Sequence, residues 1–295
     1  MILICNEAVK NCRRDRRFAL PKTNSLENYL FPRYSNLHFF SSSDFARSFE
    51  MLPFNIVLLL TATAMTSAAE LPDFIHVCKR KDPQVNDCIA KSVEFLRPYL
   101  LSGVPELNIP SLEPLYLKEL VAAESTGLKI TARDIRTYGA SDYTIRGFKL
   151  DFDTMHCQFS MDLPHLYIDA MYHVDGKVLL LPIAGSGPMR GNFTACTGSV
   201  DLKGEVKKDA NGEDRLRYTD FHVKFTVGNG YVELENLFGG DRTLGDLVNS
   251  AINNNFDVFL RELQPLLEKA LSETFQRIAN NIVEPFTWQQ LFPDD

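Results

Sequence analysis

The residues of this sequence that most resemble a catalytic set are one serine and three histidines. Ser186 lies in Gly-Ser-Gly, but the nucleophile elbow of serine hydrolases reads Gly-x-Ser-x-Gly, and Ala184 occupies its first position. His156, His165 and His173 fall in strand-like sequence without carboxylates at metal-ligand spacing. The sequence contains no Walker loop, HExxH helix or GxGxxG turn. We therefore predict no catalytic residue, no metal and no cofactor, and we interpret Ser186 as part of a Gly/Pro turn.

The cysteines and one sequon indicate an oxidising compartment. Residues 70–295 contain an even set of cysteines, which in a secreted chain predicts two disulfides: Cys78, Cys88, Cys157 and Cys196. Four cysteines allow three pairings, so their spacing leaves the connectivity open. Asn192-Phe193-Thr194 is an N-glycosylation sequon, which has meaning only in the secretory pathway. We therefore predict a glycan at Asn192.

Charge is distributed unevenly along the 295 residues, whose formal net charge is -7. Residues 1–50 carry eight basic and five acidic side chains, and residues 51–69 carry neither. Residues 70–295 carry 23 basic and 33 acidic side chains. An acidic domain lacks the basic face that binds nucleic acid. This shift in composition predicts a domain over 70–295 and no nucleic-acid partner.

Residues 51–69, MLPFNIVLLLTATAMTSAA, have the layout of a secretory signal peptide. The apolar run is too short and too rich in hydroxyl groups for a transmembrane helix, which needs about 20 apolar residues. Ser67 and Ala69 form a small-x-small cleavage pattern before Glu70. We therefore predict secretion and no membrane span.

Residues 1–50 show no persistent helical or strand period and do not have the pattern of a domain. Three interpretations compete: translation begins at Met51, the segment is an extended leader, or it is a transit peptide. Five acidic residues argue against the transit peptide. We favour a start at Met51.

The first predicted element of the domain is a helix over residues 75–101. Asp82 and Pro83 are typical of its start, and Gly103 is a stop. The proline-rich stretch PELNIPSLEPL that follows predicts an irregular extended segment. We expect a short helical turn over Leu115–Val121.

From residue 127 to residue 238 apolar and polar side chains alternate, which predicts an antiparallel sheet with one apolar face. Asp175-Gly176, Asn211-Gly212 and Gly185–Pro188 predict turns between its strands.

From Leu244 to Ile282 the apolar residues recur at helical spacing, which predicts a helix of roughly 55 Å that Pro265 kinks without ending it. A single apolar sheet face needs a cover, and this helix can supply it. We predict an α+β fold in which a long curved antiparallel sheet wraps around one very long C-terminal helix and encloses an apolar tunnel.

Large apolar side chains of the inner strand face and of the helix would line such a tunnel. The predicted ligand-binding residues are Phe148, Leu150, Phe152, Phe159, Phe221, Val223, Phe225, Phe256, Phe259 and Leu263. Most rows of aromatic residues simply belong to a hydrophobic core. If the strand phase were shifted by one residue, the sequence neighbours of the strand residues in this set would face the tunnel instead.

Three blocks of the sequence resemble the takeout / juvenile-hormone-binding protein family of insects. They are CKRKDPQVNDCIAKSVEFLRPYLLSGVPELNIPSLEPL, GKVLLLPIAGSGP and ENLFGGDRTLGDLVNSAINNNFDVFLRELQPLLEKAL, and the resemblance spans residues 74–292. It implies a secreted carrier of small hydrophobic molecules in which a curved sheet and a long carboxyl-terminal helix enclose an apolar tunnel. It also implies a Cys78–Cys88 disulfide and, by similarity to the hormone-binding branch, a Cys157–Cys196 disulfide.

The residues and the resemblance together predict a secreted, monomeric, non-enzymatic carrier of a juvenile-hormone-like terpenoid, a fatty acid or another lipid. The resemblance further implies a role in hormone transport, circadian rhythm or feeding. Two alternatives stay open. A lipid-ester hydrolase would need a nucleophile paired with a base, and an extracellular signalling protein would act through protein contacts.

Overall fold

A computed structural model describes residues 70–125 and 127–294 of the chain. The predicted leader over residues 1–50 and the predicted signal peptide over residues 51–69 lie outside the described residues. In the described part, four α-helices flank or follow seven strands.

Helix α1 spans Val85–Ser102, so the predicted helix is confirmed with a later start. The Asp82 carboxylate accepts a hydrogen bond from the Gln84 amide (2.8 Å) just before the first turn, and Gly103 ends the helix at a positive φ of 76°. A Cys78–Cys88 disulfide joins the preceding segment to the helix, with the two Cα atoms 6.1 Å apart. The expected first bridge is therefore present.

Seven antiparallel strands form a single sheet in the order β1-β2-β4-β5-β6, with β3 pairing to β4 and β7 pairing to β5. The strands are β1 Leu115–Ser125, β2 Leu128–Tyr138, β3 Thr144–Asp151, β4 His156–Val178, β5 Leu181–Lys208, β6 Asp214–Thr226 and β7 Asn229–Leu234. The long β4–β5 hairpin forms the centre of the sheet, because every other strand except β1 pairs with β4 or with β5.

The predicted helical turn over Leu115–Val121 is wrong, because these residues begin strand β1. Leu117 lies opposite Ile135 of β2 and is buried, and the Arg133 guanidinium donates a hydrogen bond to the Glu119 carboxylate (2.8 Å) on the exposed side. Strand β2 supplies the hydrogen bonds that the backbone N–H and C=O groups of this segment need. This pairing overrides the weak local preference of the segment for a helix.

Of the predicted turns, Asn211-Gly212 is confirmed between β5 and β6. Asp175-Gly176 and Gly185–Pro188 are not turns, because they lie inside β4 and β5; the hairpin turns instead at Leu179-Leu180. The two strand glycines serve close backbone packing. A Cβ at Gly176 would collide with the Gly127 carbonyl, and a Cβ at Gly187 would lie 2.7 Å from the Glu235 carbonyl oxygen.

The predicted C-terminal helix is present, and its long part is α3, Phe256–Val283, which contains Pro265. A shorter helix α2, Arg242–Asn254, precedes it and is capped by the Asp241 carboxylate on the Leu244 amide (3.1 Å). Asn255 leaves helical geometry at φ -130°, so α3 is shorter than expected, at roughly 42 Å for its 28 residues. Helix α4, Trp288–Leu291, ends the fold.

The sheet curves around α3, which contacts both edge strands β1 and β6. Polar side chains of α2 and α3 hydrogen bond to backbone groups on the free edges of β7 and β6, where a further strand would otherwise pair. They recur every fourth residue within each helix: Asn249, Asn253, Gln264, Glu268, Ser272, Gln276 and Asn280. Helix α2 thus satisfies backbone groups on the edge of β7 and helix α3 those on the edge of β6, and both edges would otherwise invite pairing with another chain.

Candidate ligand cavity

An apolar cavity of about 170 Å³ lies between α1, the segment after it, the start of β6 and the second half of α3. The lining residues are Leu71, Ile75, Leu96, Leu100, Leu107, Ile109, Pro110, Leu112, Leu115, Leu216, Tyr218, Phe275, Ile278, Ile282, Val283, Phe286, Leu291 and Phe292. Such a lining binds apolar molecules by excluding water.

Local sequence patterns place these side chains. Leu96 and Leu100 lie one helical turn apart on α1, and Ile278 and Ile282 repeat that spacing on α3. The proline-rich segment is irregular rather than fully extended, because Pro105–Leu107 form a short 3-10 helix, and it supplies further aliphatic side chains to the same space. The cavity is therefore lined by two helical stripes and one irregular segment.

The C-terminal tail closes the cavity next to the disulfide. Arg80 holds the tail through its amide, which donates to the Pro293 carbonyl (3.0 Å), and through its guanidinium, which pairs with the Asp294 carboxylate (2.7 Å). The same guanidinium lies 5.3 Å from the Trp288 ring centroid. These contacts keep Leu291 and Phe292 in the cavity wall.

Tyr218 provides the only side-chain hydroxyl among the described lining residues. The side chain is buried, and burial raises the pKa of the hydroxyl, so it stays protonated at physiological pH. The described hydrogen bonds of Tyr218 in residues 70–125 and 127–294 are those of its backbone amide and carbonyl. The hydroxyl is therefore a candidate hydrogen-bond donor to a molecule inside the cavity.

A second cavity of about 20 Å³ adjoins the first and shares Leu216, Tyr218 and Phe292 with it. Leu150 and Phe152, two of the predicted ligand-binding residues, line this smaller space. None of the ten predicted residues lines the larger cavity.

Strand register brings the predicted sheet residues together on the inner face. Leu150, Cys157, Leu202 and Phe221 form one cross-strand row. The adjacent row contains Phe159, Val200 and Val223, and the next pairs Gly198 with Phe225; Phe148 lies 6.2 Å from Phe159 between ring centroids. Phe148, Leu150, Phe152, Phe159, Phe221, Val223 and Phe225 are all half-buried. Their place in a ligand tunnel stays a prediction.

The three predicted helix residues lie in the first half of α3. Phe259 is buried in a core cluster with Tyr172 and Val248, and Leu263 packs against that cluster. Phe256 lies 6.1 Å from Phe193 between ring centroids. They are thus separated along the helix from the stretch 275–283 that lines the larger cavity.

The expected Cys157–Cys196 disulfide is contradicted by the sheet register. Cys157 of β4 lies opposite Leu202 of β5, whereas Cys196 lies opposite Leu163. Six strand positions, or roughly 20 Å, separate the two thiols, and a disulfide requires Cα atoms within about 7 Å. Both cysteines are free and buried, and burial raises the pKa of the Cys157 thiol to about 11. They are protonated hydrophobic side chains and poor nucleophiles.

The candidate chemical residues do not assemble into a catalytic set. Ser186 lies within β5 opposite His173, with no hydrogen bond between their side chains among the described contacts. His156 Nε2 donates to the Asp201 carboxylate (2.8 Å). The His76 ring is within 4.8 Å of the sulfurs of Cys78 and Cys88, but the disulfide occupies both sulfurs.

The sequence-based lining set missed α1 and the proline-rich segment. A signal existed, because Leu96 and Leu100 share one helical face and Leu107, Ile109 and Leu112 are closely spaced apolar residues. Periodicity indicates that such faces are buried, but which element lies opposite them across the cavity depends on the path of the chain.

None of the helices in the described part of the chain combines the length and apolarity that a membrane span needs.

Known proteins show the same sequence pattern and fold. A profile of the family described as "Haemolymph juvenile hormone binding protein (JHBP)" matches residues 56–293. "Circadian clock-controlled protein daywake" of Drosophila melanogaster is 24% identical over 246 residues, which cover 80% of this chain and 94% of that protein. "Putative beta-carotene-binding protein" of Schistocerca gregaria is 21% identical over 220 residues, covering 74% and 88%. The crystal structure of Epiphyas postvittana Takeout 1 superposes with a TM-score of 0.60 at 22% identity, covering 73% of this chain and 98% of that one.

Proposed function

The chain belongs to the haemolymph juvenile hormone binding protein family, and from that premise we propose that it is a secreted, monomeric, non-enzymatic carrier of a small hydrophobic ligand. The observation that carries the proposal is the cavity of about 170 Å³, whose lining is apolar except for the Tyr218 hydroxyl. A signal-like segment over 51–69 and the Cys78–Cys88 disulfide support secretion.

The ligand class follows from this lining. Burying ~300 Å² of apolar ligand surface contributes about 7–8 kcal/mol before the costs of association. A juvenile-hormone-like terpenoid, a fatty acid or another lipid offers such a surface and carries an oxygen that Tyr218 can reach by hydrogen bonding. The relative described as a putative beta-carotene-binding protein supports a hydrophobic ligand, and the clock-controlled relative supports a role in circadian rhythm. The family itself supports a role in hormone transport, and a role in feeding belongs to the same proposal.

The inner face of the sheet extends the proposed binding space. The smaller cavity links Tyr218 to Leu150 and Phe152, and the rows of half-buried aromatic residues continue from there towards Phe225. A long ligand would occupy the larger cavity with one end and displace side chains of these rows with the other.

The test uses the full chain secreted from insect cells. Organic extraction followed by mass spectrometry should recover one lipid per protein, and the stripped protein should bind a fluorescent fatty acid analogue with one-to-one stoichiometry. Leu112→Trp places a large ring in the cavity and should weaken probe binding at least tenfold. Leu247→Trp, on an exposed face of α2, is the matched control and should leave binding unchanged.

Protein that releases no lipid and binds no probe would refute the carrier. Circular dichroism and thermal unfolding of Leu112→Trp establish that a loss of binding reflects an obstructed cavity in a folded protein. Hydrolysis of a lipid ester that Ser186→Ala abolishes would contradict the non-enzymatic assignment.

A further inference from the structure

Three tyrosines and one asparagine form a straight row across the outer face of the sheet. Tyr138 of β2 lies opposite Tyr167 of β4, Tyr167 lies opposite Asn192 of β5, and Asn192 lies opposite Tyr231 of β7. Directly opposite residues present their side chains on the same face with Cβ atoms about 4.5–5.5 Å apart. Asn192 is therefore flanked by an aromatic ring on each side.

The tyrosines of this row are not part of any described core cluster. Tyr231 is 56% exposed and Tyr138 is 38% exposed, and the rings of Tyr138 and Tyr167 lie 6.0 Å apart between centroids. From β2 to β7 the neighbouring row on the same face is charged, as expected of a solvated sheet face: Arg136, Asp169, Arg190 and Glu233. The aromatic row needs another explanation.

Asn192 is the first residue of the sequon, and its environment suits attachment of a sugar. The side chain is exposed, and His165 Nε2 donates a hydrogen bond to Asn192 Oδ1 (2.5 Å). The amide nitrogen, to which an N-linked sugar is joined, has no partner among the residues that the structure describes. The contact from His165 uses the amide oxygen, so a sugar joined to the amide nitrogen leaves this hydrogen bond in place.

We propose that Asn192 carries an N-linked glycan and that Tyr167 and Tyr231 form a platform on which its first sugars rest. A pyranose ring has an apolar C–H face and a polar rim, and tyrosine offers an apolar ring with a polar tip, so the two pack face to face while their hydroxyl groups stay hydrated. The glycan covers the aromatic row. The inference rests on the secretion in the proposed function, because N-glycosylation occurs only in that route.

The test uses the full chain expressed in insect cells and recovered from the medium. Intact mass should fall on treatment with peptide N-glycosidase, and both Asn192→Gln and Thr194→Ala should abolish this change. The glycosylated protein should melt about 2–4 °C above Thr194→Ala. Tyr231→Ser and Tyr167→Ser should keep the glycan but reduce the rise in melting temperature that the glycan gives to less than half. In both variants the glycosidase should remove the glycan from the native protein several-fold faster.

Tyr116→Ser is the matched control, because Tyr116 is 45% exposed on the same face but lies opposite Arg136 in the charged row. It should leave both the thermal increment and the removal rate unchanged. An unmodified Asn192 would overturn the proposal, as would a glycan whose increment survives Tyr231→Ser and Tyr167→Ser. Self-association that needs Tyr231 and persists in Asn192→Gln would assign the row to a protein partner instead. Probe binding by Asn192→Gln tests the carrier separately, because the residue does not line the cavity.

Discussion

The contacts between α3 and the edge of β6 predict a large difference between two adjacent asparagines. Asn280 Nδ2 donates to the Tyr218 carbonyl (3.0 Å), and Asn280 Oδ1 accepts from the Tyr218 amide (2.8 Å). Asn281 is exposed, and its side chain has no hydrogen bond among the described contacts. Both positions lie in the last two turns of α3, so Asn280→Ala and Asn281→Ala change helix propensity alike.

The expected magnitude follows from the groups that each substitution leaves unpaired. Asn280→Ala removes two hydrogen bonds, each worth about 1 kcal/mol net, and leaves the Tyr218 amide without its partner at a cost of about 1–3 kcal/mol. The Tyr218 carbonyl keeps its bond from Gln276 Nε2 (3.1 Å), which limits the loss. We expect Asn280→Ala to lower the free energy of unfolding by about 2–4 kcal/mol and Asn281→Ala to change it by less than about 0.5 kcal/mol.

Urea unfolding of lipid-free protein measures this difference, with the fluorescence of Trp288, the only tryptophan of the chain, as the signal. The ligand must be removed first, since a bound ligand would add its own stabilisation. Hydrogen exchange of the Tyr218 amide should accelerate in Asn280→Ala alone. Equal stabilities of the two variants within about 0.5 kcal/mol would refute the idea that helix side chains replace a missing strand at this edge.

Three further predictions concern the cavity and its surroundings. Tyr218→Phe should weaken binding of an oxygen-bearing lipid about 3–10-fold and leave binding of a pure hydrocarbon unchanged, as measured by competition with the fluorescent probe. Burial raises the folded-state pKa of Cys157 from its ordinary value of 9.0 to about 11. The contribution of the protonated thiol to the free energy of unfolding is therefore complete below pH 9 and is lost as the pH rises to about 11. The wild type should therefore lose about 2 kcal/mol more than Cys157→Ala over that range, and parallel pH profiles would contradict this. Replacing Cys78 and Cys88 together by serine should lower the free energy of unfolding by ~2–3 kcal/mol, and the same loss should follow reduction of the wild type.

Much of the fold could be predicted because its signals are local. The alternation around Phe221, Val223 and Phe225 matches the observed burial of β6, since side chains of a strand point to opposite faces in turn. The α1 helix and the long C-terminal helix follow from 3.6-residue periods in the same way. The strand β1 was missed because Leu115–Val121 has little period of its own, and only its pairing with β2 makes it extended.

The amino-acid sequence specifies which faces are apolar, where the cysteines and the sequon lie, and that a long helix covers a one-sided sheet. Which of those faces meet depends on the path of the chain in three dimensions. Register separates Cys157 from Cys196 by six positions and aligns Tyr167, Asn192 and Tyr231 in one row. The cavity lies where the C-terminal half of α3 meets α1, and Leu100 and Ile278, which are 178 positions apart in the chain, line it together. The periodicity of apolar residues reflects contacts between residues that are close in the sequence. A ligand cavity is formed by residues that are distant in the sequence and that the topology of the chain brings together.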